Sequence, residues 1–136
     1  MPQQGDTRAI VNPWTWQDRF AFVHANVITD GRRVAYCAGQ TSTDADGNAI
    51  QQGDMAGQIE RALANVETVL GEAGMALSDV VRLNYYVTDV DAFLQAGETL
   101  KAALASAECR PASTLLGVTR LASPDFLVEI EATAIA

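Results

Sequence analysis

The stretch that most constrains this chain is Leu127–Ala136, L-V-E-I-E-A-T-A-I-A, in which Val128, Ile130, Ala132 and Ala134 alternate with Leu127, Glu129, Glu131, Thr133 and Ile135. A period of two places successive side chains on opposite faces of a strand. One face is then apolar and suited to packing under helices, while the other carries two carboxylates in mid-strand. Charges at such positions belong to a face that is wet, paired or catalytic. The preceding stretch Arg110–Leu121, R-P-A-S-T-L-L-G-V-T-R-L, reads as an adjacent strand, joined to it by a turn at Ser123, Pro124 and Asp125. Pro111 has no N–H to give to a ladder and must stand at that strand's beginning.

Upstream, Phe20–Thr29 and Arg32–Ala38 read as a hairpin whose Asp30-Gly31 pair supplies the positive backbone angles of a tight turn. His24 falls in its first strand and is expected to be a surface or packed histidine. The segment Asp44-Ala45-Asp46-Gly47-Asn48 is turn chemistry. It is not a calcium loop, because Met55 stands where the closing glutamate is needed. Asp54 is placed to cap a helix running to about Ala73, with Met55, Ile59, Ala62, Leu63, Val66, Val69 and Leu70 on one stripe and Gly74 as the stop signal. Val81, Leu83, Tyr85 and Val87 alternate with Arg82, Asn84, Tyr86 and Thr88 in a third strand. A second helix is expected over Val90–Ala107, turning Phe93, Leu94, Leu100 and Leu104 inward.

The order is β-β-α-β-α-β-β, an α+β arrangement in which two helices pack on one face of the sheet. Residues 1–18 read as an irregular N-terminal arm and 19–136 as a single domain. The arm's Trp14 and Trp16 are expected to pack on the core or on a neighbouring subunit, with ligand stacking as the lesser alternative.

Composition removes several classes of function. With 136 residues and 49% apolar content the chain is one globular domain. A net charge of -8 weighs against a nucleic-acid partner and against an anionic membrane surface. The sequence shows neither a signal-peptide pattern nor an apolar run of membrane-spanning length, so a cytoplasmic location is expected. Cys37 and Cys109 lack metal-type spacing and His24 is the single histidine, so no metal and no cofactor are expected and the thiols should be reduced. No Ser/His/Asp set, Cys/His pair or phosphate loop is recognisable. Physical reading alone stops at an α+β domain with a polar sheet face.

A set of short words spread along the chain adds to this: Ala38-Gly39-Gln40, Asp46-Gly47, Asp54-Met55 with Gln58, Asn65, Ala73-Gly74, Asp79-Val80-Val81, Tyr86-Val87 with Asp89, Phe93, Pro111-Ala112, Gly117-Val118, Leu121 and Val128-Glu129-Ile130-Glu131. In this order and spacing they resemble the RidA (YjgF) family of small proteins, many of which hydrolyse enamines and imines. The resemblance implies a chorismate-mutase-like fold with a mixed sheet, a homotrimer with a pocket in each cleft between subunits, and a small-molecule substrate, with no nucleic acid and no membrane as partners. It also implies a mechanism: the enamine tautomerises to an imine, water adds to the C=N carbon, and the carbinolamine collapses to a ketone and ammonia.

Carried onto this sequence, the resemblance gives Glu129 the catalytic role of placing the water, and Ala38-Gly39 the backbone lining of the pocket. The family arginine that grips a substrate carboxylate follows the Pro-Ala pair, where this chain has Ser113. A serine cannot replace a bidentate guanidinium. Phe22 stands for the family's tyrosine and Gly97 for its asparagine. Ser113, Leu115 and Gly117 should share one side of their strand, with Glu129 deeper in the same pocket. Of the arginines available to substitute, Arg110 is preferred over Arg82 and Arg120. The expected function is a divergent enamine/imine deaminase with altered specificity, and the alternative is a non-catalytic metabolite-binding trimer. Ribonuclease activity, a label attached to some relatives, fits the acidic composition least.

Overall fold

The computed structural model describes residues 8–16, 24–30 and 32–136. The elements in chain order are β1 (Arg8–Val11), β2 (Ala25–Asp30), β3 (Arg32–Gln40), α1 (Met55–Glu72), β4 (Val80–Val87), α2 (Val90–Gln95), α3 (Gly97–Ser106), β5 (Ala112–Gly117) and β6 (Val128–Ile135). The strands form one mixed sheet of order β1-β2-β3-β6-β4-β5, antiparallel except for the parallel β4/β5 pair. The α+β class and the single helical layer agree with the sequence reading.

Helix α1 begins where Asp54 Oδ1 accepts the Gly57 N–H at 3.0 Å and ends before Gly74, whose φ of +72° is the left-handed conformation that favours glycine. Its stripe of Met55, Ile59, Ala62, Leu63, Val66, Val69 and Leu70 is buried against Ala35, Cys37, Ile130, Ala132 and Ala134 of the sheet. The inner positions of β6, from Val128 to Ala134, are almost fully buried, as their alternation demands.

Four expectations change. First, β5 and β6 are not neighbours: β6 lies between β3 and β4, and β5 is the far edge of the sheet. The difference follows from composition. The strictly alternating strand takes the centre, while the strand with Pro111 at its entry and mostly exposed side chains takes the edge, where unpaired backbone is tolerated. The turn between them is as read, with Ser123 Oγ accepting the Asp125 N–H. Second, the arm is not wholly irregular, because Arg8–Val11 adds an edge strand to β2. Third, Val81 faces outward. The register shifts between Val80 and Arg82, so Val80 and Leu83 are both buried although they are three residues apart. Fourth, the second helix is two helices broken at Ala96, ahead of Gly97, a residue costly in a helix interior. Phe93 is buried, Leu100 and Leu104 pack on the core, and Leu94 is exposed.

The hairpin pairs Asp30 with Arg32. Phe20–Val23 and Gly31 lie outside the described residues. Among the described residues, no helix is long and apolar enough to cross a membrane.

Candidate functional site

Strand parity and register place Tyr36, Thr133, Glu131, Glu129, Asn84 and Tyr86 on the face of the sheet away from the helices. Glu131 anchors this face: its Oε1 accepts from Asn84 Nδ2 at 2.9 Å and from the Tyr86 hydroxyl. That bond and the adjacent negative charge push the Tyr86 hydroxyl pKa up. Glu129 is different. Burial first, and then the charge of Glu131, push its carboxyl pKa above the ordinary value.

The position of Glu129 depends on a bulge in β3. Cys37 pairs with Ala132 and Gln40 with Ile130, so Ala38 and Gly39 together oppose one residue of β6. The extra residue keeps Cys37 and Gln40 both buried, and it brings the Gly39 backbone under the Glu129 side chain. A Cβ on Gly39 would lie 2.5 Å from Glu129 Oε1 and 2.7 Å from Cδ. A glycine leaves room for the carboxyl in this position, and a Cβ there would force it to move.

Glu129 and Gly39 line a cavity of about 390 Å³ together with Trp16, Thr41, Thr43, Gly47, Ala122, Ser123 and Phe126. Two buried amides of α1, two turns apart on one face, hold its walls. Asn65 Nδ2 donates to the Thr41 and Thr43 carbonyls at 3.0 and 3.2 Å. Gln58 Oε1 accepts the Leu127 N–H at 2.8 Å, and its Nε2 donates to the Asp125 carbonyl at 2.9 Å. The helix thereby fixes both the loop after β3 and the turn before β6.

The third wall is the arm. His24 is fully buried, with the rings of Trp14 and Trp16 edge-on at 4.9 and 5.1 Å. Gln40 Nε2 donates to His24 Nδ1 at 3.0 Å, and burial lowers the His24 pKa to about 4, so the ring is neutral. The indole of Trp16 lies against Gly47, where a Cβ would come within 2.7 Å of ring carbons. The Asp44–Asn48 turn is therefore a seat for this ring as well as a turn.

The Endoribonuclease L-PSP family model matches residues 18–136. The chain is 34% identical over 99 residues to a RutC family protein of Pyrococcus abyssi, covering 73% of this chain and 76% of that one. The fold is similar to the crystal structure of Rv2704 of Mycobacterium tuberculosis, a member of the YjgF/YER057c/UK114 family. The TM-score there is 0.78 and the identity 32%, covering 95% and 99% of the two chains. This chain belongs to the RidA/YjgF family. A relative from Salmonella typhimurium, named 2-iminobutanoate/2-iminopropanoate deaminase, is 29% identical over 99 residues, covering 72% of this chain and 76% of that one.

Of the residues that the RidA/YjgF resemblance singles out, one chain brings Glu129 and Gly39 together, with Ala38 beside them in the bulge. Ser113 and Leu115 do share a side, but they pair with Leu83 and Tyr85, whose side chains lie under the helices. Within one chain that side is opposite to Glu129. Gly97 and Arg110 line a separate cavity of about 840 Å³ between α3 and the entry to β5. Arg82 Nη2 donates to Thr114 Oγ1 at 2.7 Å, and Arg120 Nε donates to the Leu121 carbonyl at 3.3 Å. Phe22 lies outside the described residues. The sequence reading missed Thr41, Thr43, Ala122, Ser123 and Phe126, which occupy loops with no periodic signal. Trp16 was read there first as a packing aromatic, with ligand stacking as the lesser alternative.

Both cysteines are buried, and burial raises both thiol pKa values, that of Cys37 to about 12. Neither is suited to nucleophilic work at neutral pH. Among the described residues no cluster of His, Cys, Asp or Glu is arranged to hold a metal ion.

Proposed function

We propose that this protein hydrolyses an enamine or imine to a carbonyl compound and ammonia, with Glu129 as the catalytic carboxylate. The observation that carries the reading is the half-buried Glu129 carboxyl over the side-chain-free Gly39, at the edge of a small cavity. Burial and the neighbouring Glu131 raise its pKa towards the range in which a carboxylate can both accept and return a proton. Water held by Glu129 loses a proton to it as oxygen adds to the C=N carbon. The carbinolamine nitrogen then takes up a proton and leaves as ammonia. The reaction needs water alone as co-reactant, and the name of the Salmonella relative supports the reaction class.

Specificity is altered at Ser113, which stands where a carboxylate-binding arginine is expected. The proposed assembly is a homotrimer in which a neighbouring copy brings Ser113, Leu115, Gly97 and Arg110 towards the Glu129 cavity. Its support is the outer sheet face, where Ile10, Tyr36 and Leu116 are large, apolar and at least half exposed.

Ammonia release from 2-aminoacrylate generated in situ, corrected for the spontaneous rate and run beside Ser113→Arg and Glu129→Ala, tests the reading. Acceleration that disappears in Glu129→Ala with oligomeric state intact supports it. Unchanged turnover in Glu129→Ala removes the assignment. Acceleration by Ser113→Arg alone means the cavity is catalytic but serves a substrate without that carboxylate. The absence of the arginine also favours a second reading, a non-catalytic metabolite-binding trimer, which predicts saturable binding without turnover. The family model's endoribonuclease description would gain ground only with strong, salt-dependent RNA binding, against a net charge of -8.

A further inference from the structure

Trp16 lines the Glu129 cavity with Phe126, but it lies ahead of residues 18–136, so the family match assigns it no role. It belongs to the same chain as Glu129. Whatever Ser113 and Arg110 of a neighbouring copy add from across the cleft, this indole stays on the Glu129 side.

The ring is firmly seated. Beneath it is Gly47, with φ of +83°, where a Cβ would come within 2.7 Å of ring carbons. The turn that carries Gly47 is itself tied, with Asp44 Oδ1 accepting the Asp46 and Asn48 N–H groups at 3.0 and 2.9 Å. The buried His24 ring stands edge-on to the indole at 5.1 Å, and it is bonded by Gln40, the residue after Gly39. The arm has its own anchors: Asn12 Oδ1 accepts the His24 N–H at 2.9 Å, and β1 pairs with β2. Trp14 shows what a packing tryptophan looks like here. It is edge-on to the same His24 at 4.9 Å and packs on the core, but it does not line the cavity. Trp16 does, and a ring held in place beforehand offers a flat apolar face with little left to order on binding.

We propose that Trp16 is a substrate-contacting, specificity-determining residue, forming with Phe126 a platform for an aromatic side group on the imine whose C=N carbon lies beside Glu129. The proposal rests on the deaminase reading and deepens it, assigning the site imines with one aryl ring in preference to small aliphatic ones. A cavity of about 390 Å³ admits a single ring with a short substituent. Indole and phenyl faces receive such a ring in offset or edge-on contact. The proposal is independent of which group anchors a substrate carboxylate.

The test is calorimetric titration of the full chain with phenylpyruvate and pyruvate, the hydrolysis products of an aromatic and a small imine. Both carry the same 2-oxo acid group, so the ratio of their affinities reports the ring alone. Phenylpyruvate is expected to bind at least about tenfold more tightly. Trp16→Leu should remove most of that preference, whereas Trp14→Leu, which takes a similar contact from His24, should keep it. Gly47→Ala retains the indole but drives it from its seat, and should also weaken phenylpyruvate more than pyruvate. The comparison is made on variants whose circular dichroism and oligomeric state match the parent. Equal binding of the two acids by the parent, no saturable phenylpyruvate binding, equal losses in Trp14→Leu and Trp16→Leu, or a folded Gly47→Ala with full preference would each overturn it. Binding is read without turnover, so the two readings separate. A Trp16-dependent preference with no imine hydrolysed sinks the deaminase reading alone, and hydrolysis of 2-iminopropanoate without that preference sinks this one alone.

Discussion

Two groups of polar side chains lie within the same sheet-and-helix unit and behave in opposite ways. In the interior Gln58, Asn65, Gln40 and His24 are all buried and hydrogen-bonded: the two amides of α1 close loops onto the sheet, and Gln40 bonds His24. On the outer side Glu129 and Glu131 are acids placed close enough for one to raise the pKa of the other. The first group consists of neutral amides and a neutral imidazole, for which burial with partners costs little and fixes geometry. The second keeps charge where desolvation and repulsion oppose it, an arrangement that persists when function needs it. Burial of a polar residue therefore does not mark a site by itself. Imperfectly compensated charge is what sets the proposed site apart.

The sharpest way to break that contrast is to neutralise the charge without changing shape. Glu129→Gln should lower imine turnover by roughly a hundredfold or more, the usual scale for losing a positioned acid–base group. It should not lower stability. Because the folded-state pKa of Glu129 is raised, its stabilising contribution exists below its ordinary pKa and is lost as pH rises through the folded value. At pH 7 the ionised side chain opposes folding, so the urea midpoint of Glu129→Gln should equal or exceed that of the parent. A lower midpoint would place Glu129 with the structural group.

Asn65→Leu is the converse experiment. It strips the Thr41 and Thr43 carbonyls of their shared donor and should cost roughly 2–3 kcal/mol in urea unfolding, as buried acceptors left without partners do. An unchanged unfolding midpoint would mean that the amide is not what closes the loop after β3. An effect of comparable size, but present only as pH falls, is expected at His24. Its folded pKa of about 4 is below its ordinary 6.5, so its contribution is present above 6.5 and is lost as pH falls towards 4. The loss should be at most roughly 1.4 kcal/mol per pH unit in that window. His24→Gln should flatten the pH dependence of the urea midpoint between pH 6.5 and 4, and a parallel slope in both proteins would remove His24 as its source.

How much of this was legible in sequence follows from how local each cause is. The α1 stripe, the Asp54 cap, the Gly74 stop and the β6 alternation are encoded within a few residues, and the structure has all four. Strand order is not local. β5 and β6 are close in sequence, and nothing in either segment states that β4 separates them. The bulge at Ala38-Gly39 was visible only as a small-residue pair, because what it does depends on Glu129 arriving from the opposite end of the chain. The same holds for Trp16, which becomes a cavity wall through Gly47 beneath it. Parity did place Ser113 and Leu115 on one side, but the sequence could not say that this side is the helical one.

The smallest effect tests the contrast most closely, because it alters the charge beside Glu129 and leaves the carboxyl itself in place. Glu131→Gln removes the second of the two causes that raise the Glu129 pKa and leaves the larger one, burial. Asn84 and Tyr86 still have an amide oxygen to donate to, so the shape of the face should survive. With the repulsion gone, Glu129 ionises at lower pH, and the acid limb of the turnover profile should move down by less than about one pH unit. Direction decides the matter. A limb that moves down assigns the ionisation to Glu129 under the field of Glu131. A limb that stays in place would mean that the two carboxylates do not communicate, and Glu129 would then owe its perturbed ionisation to burial alone.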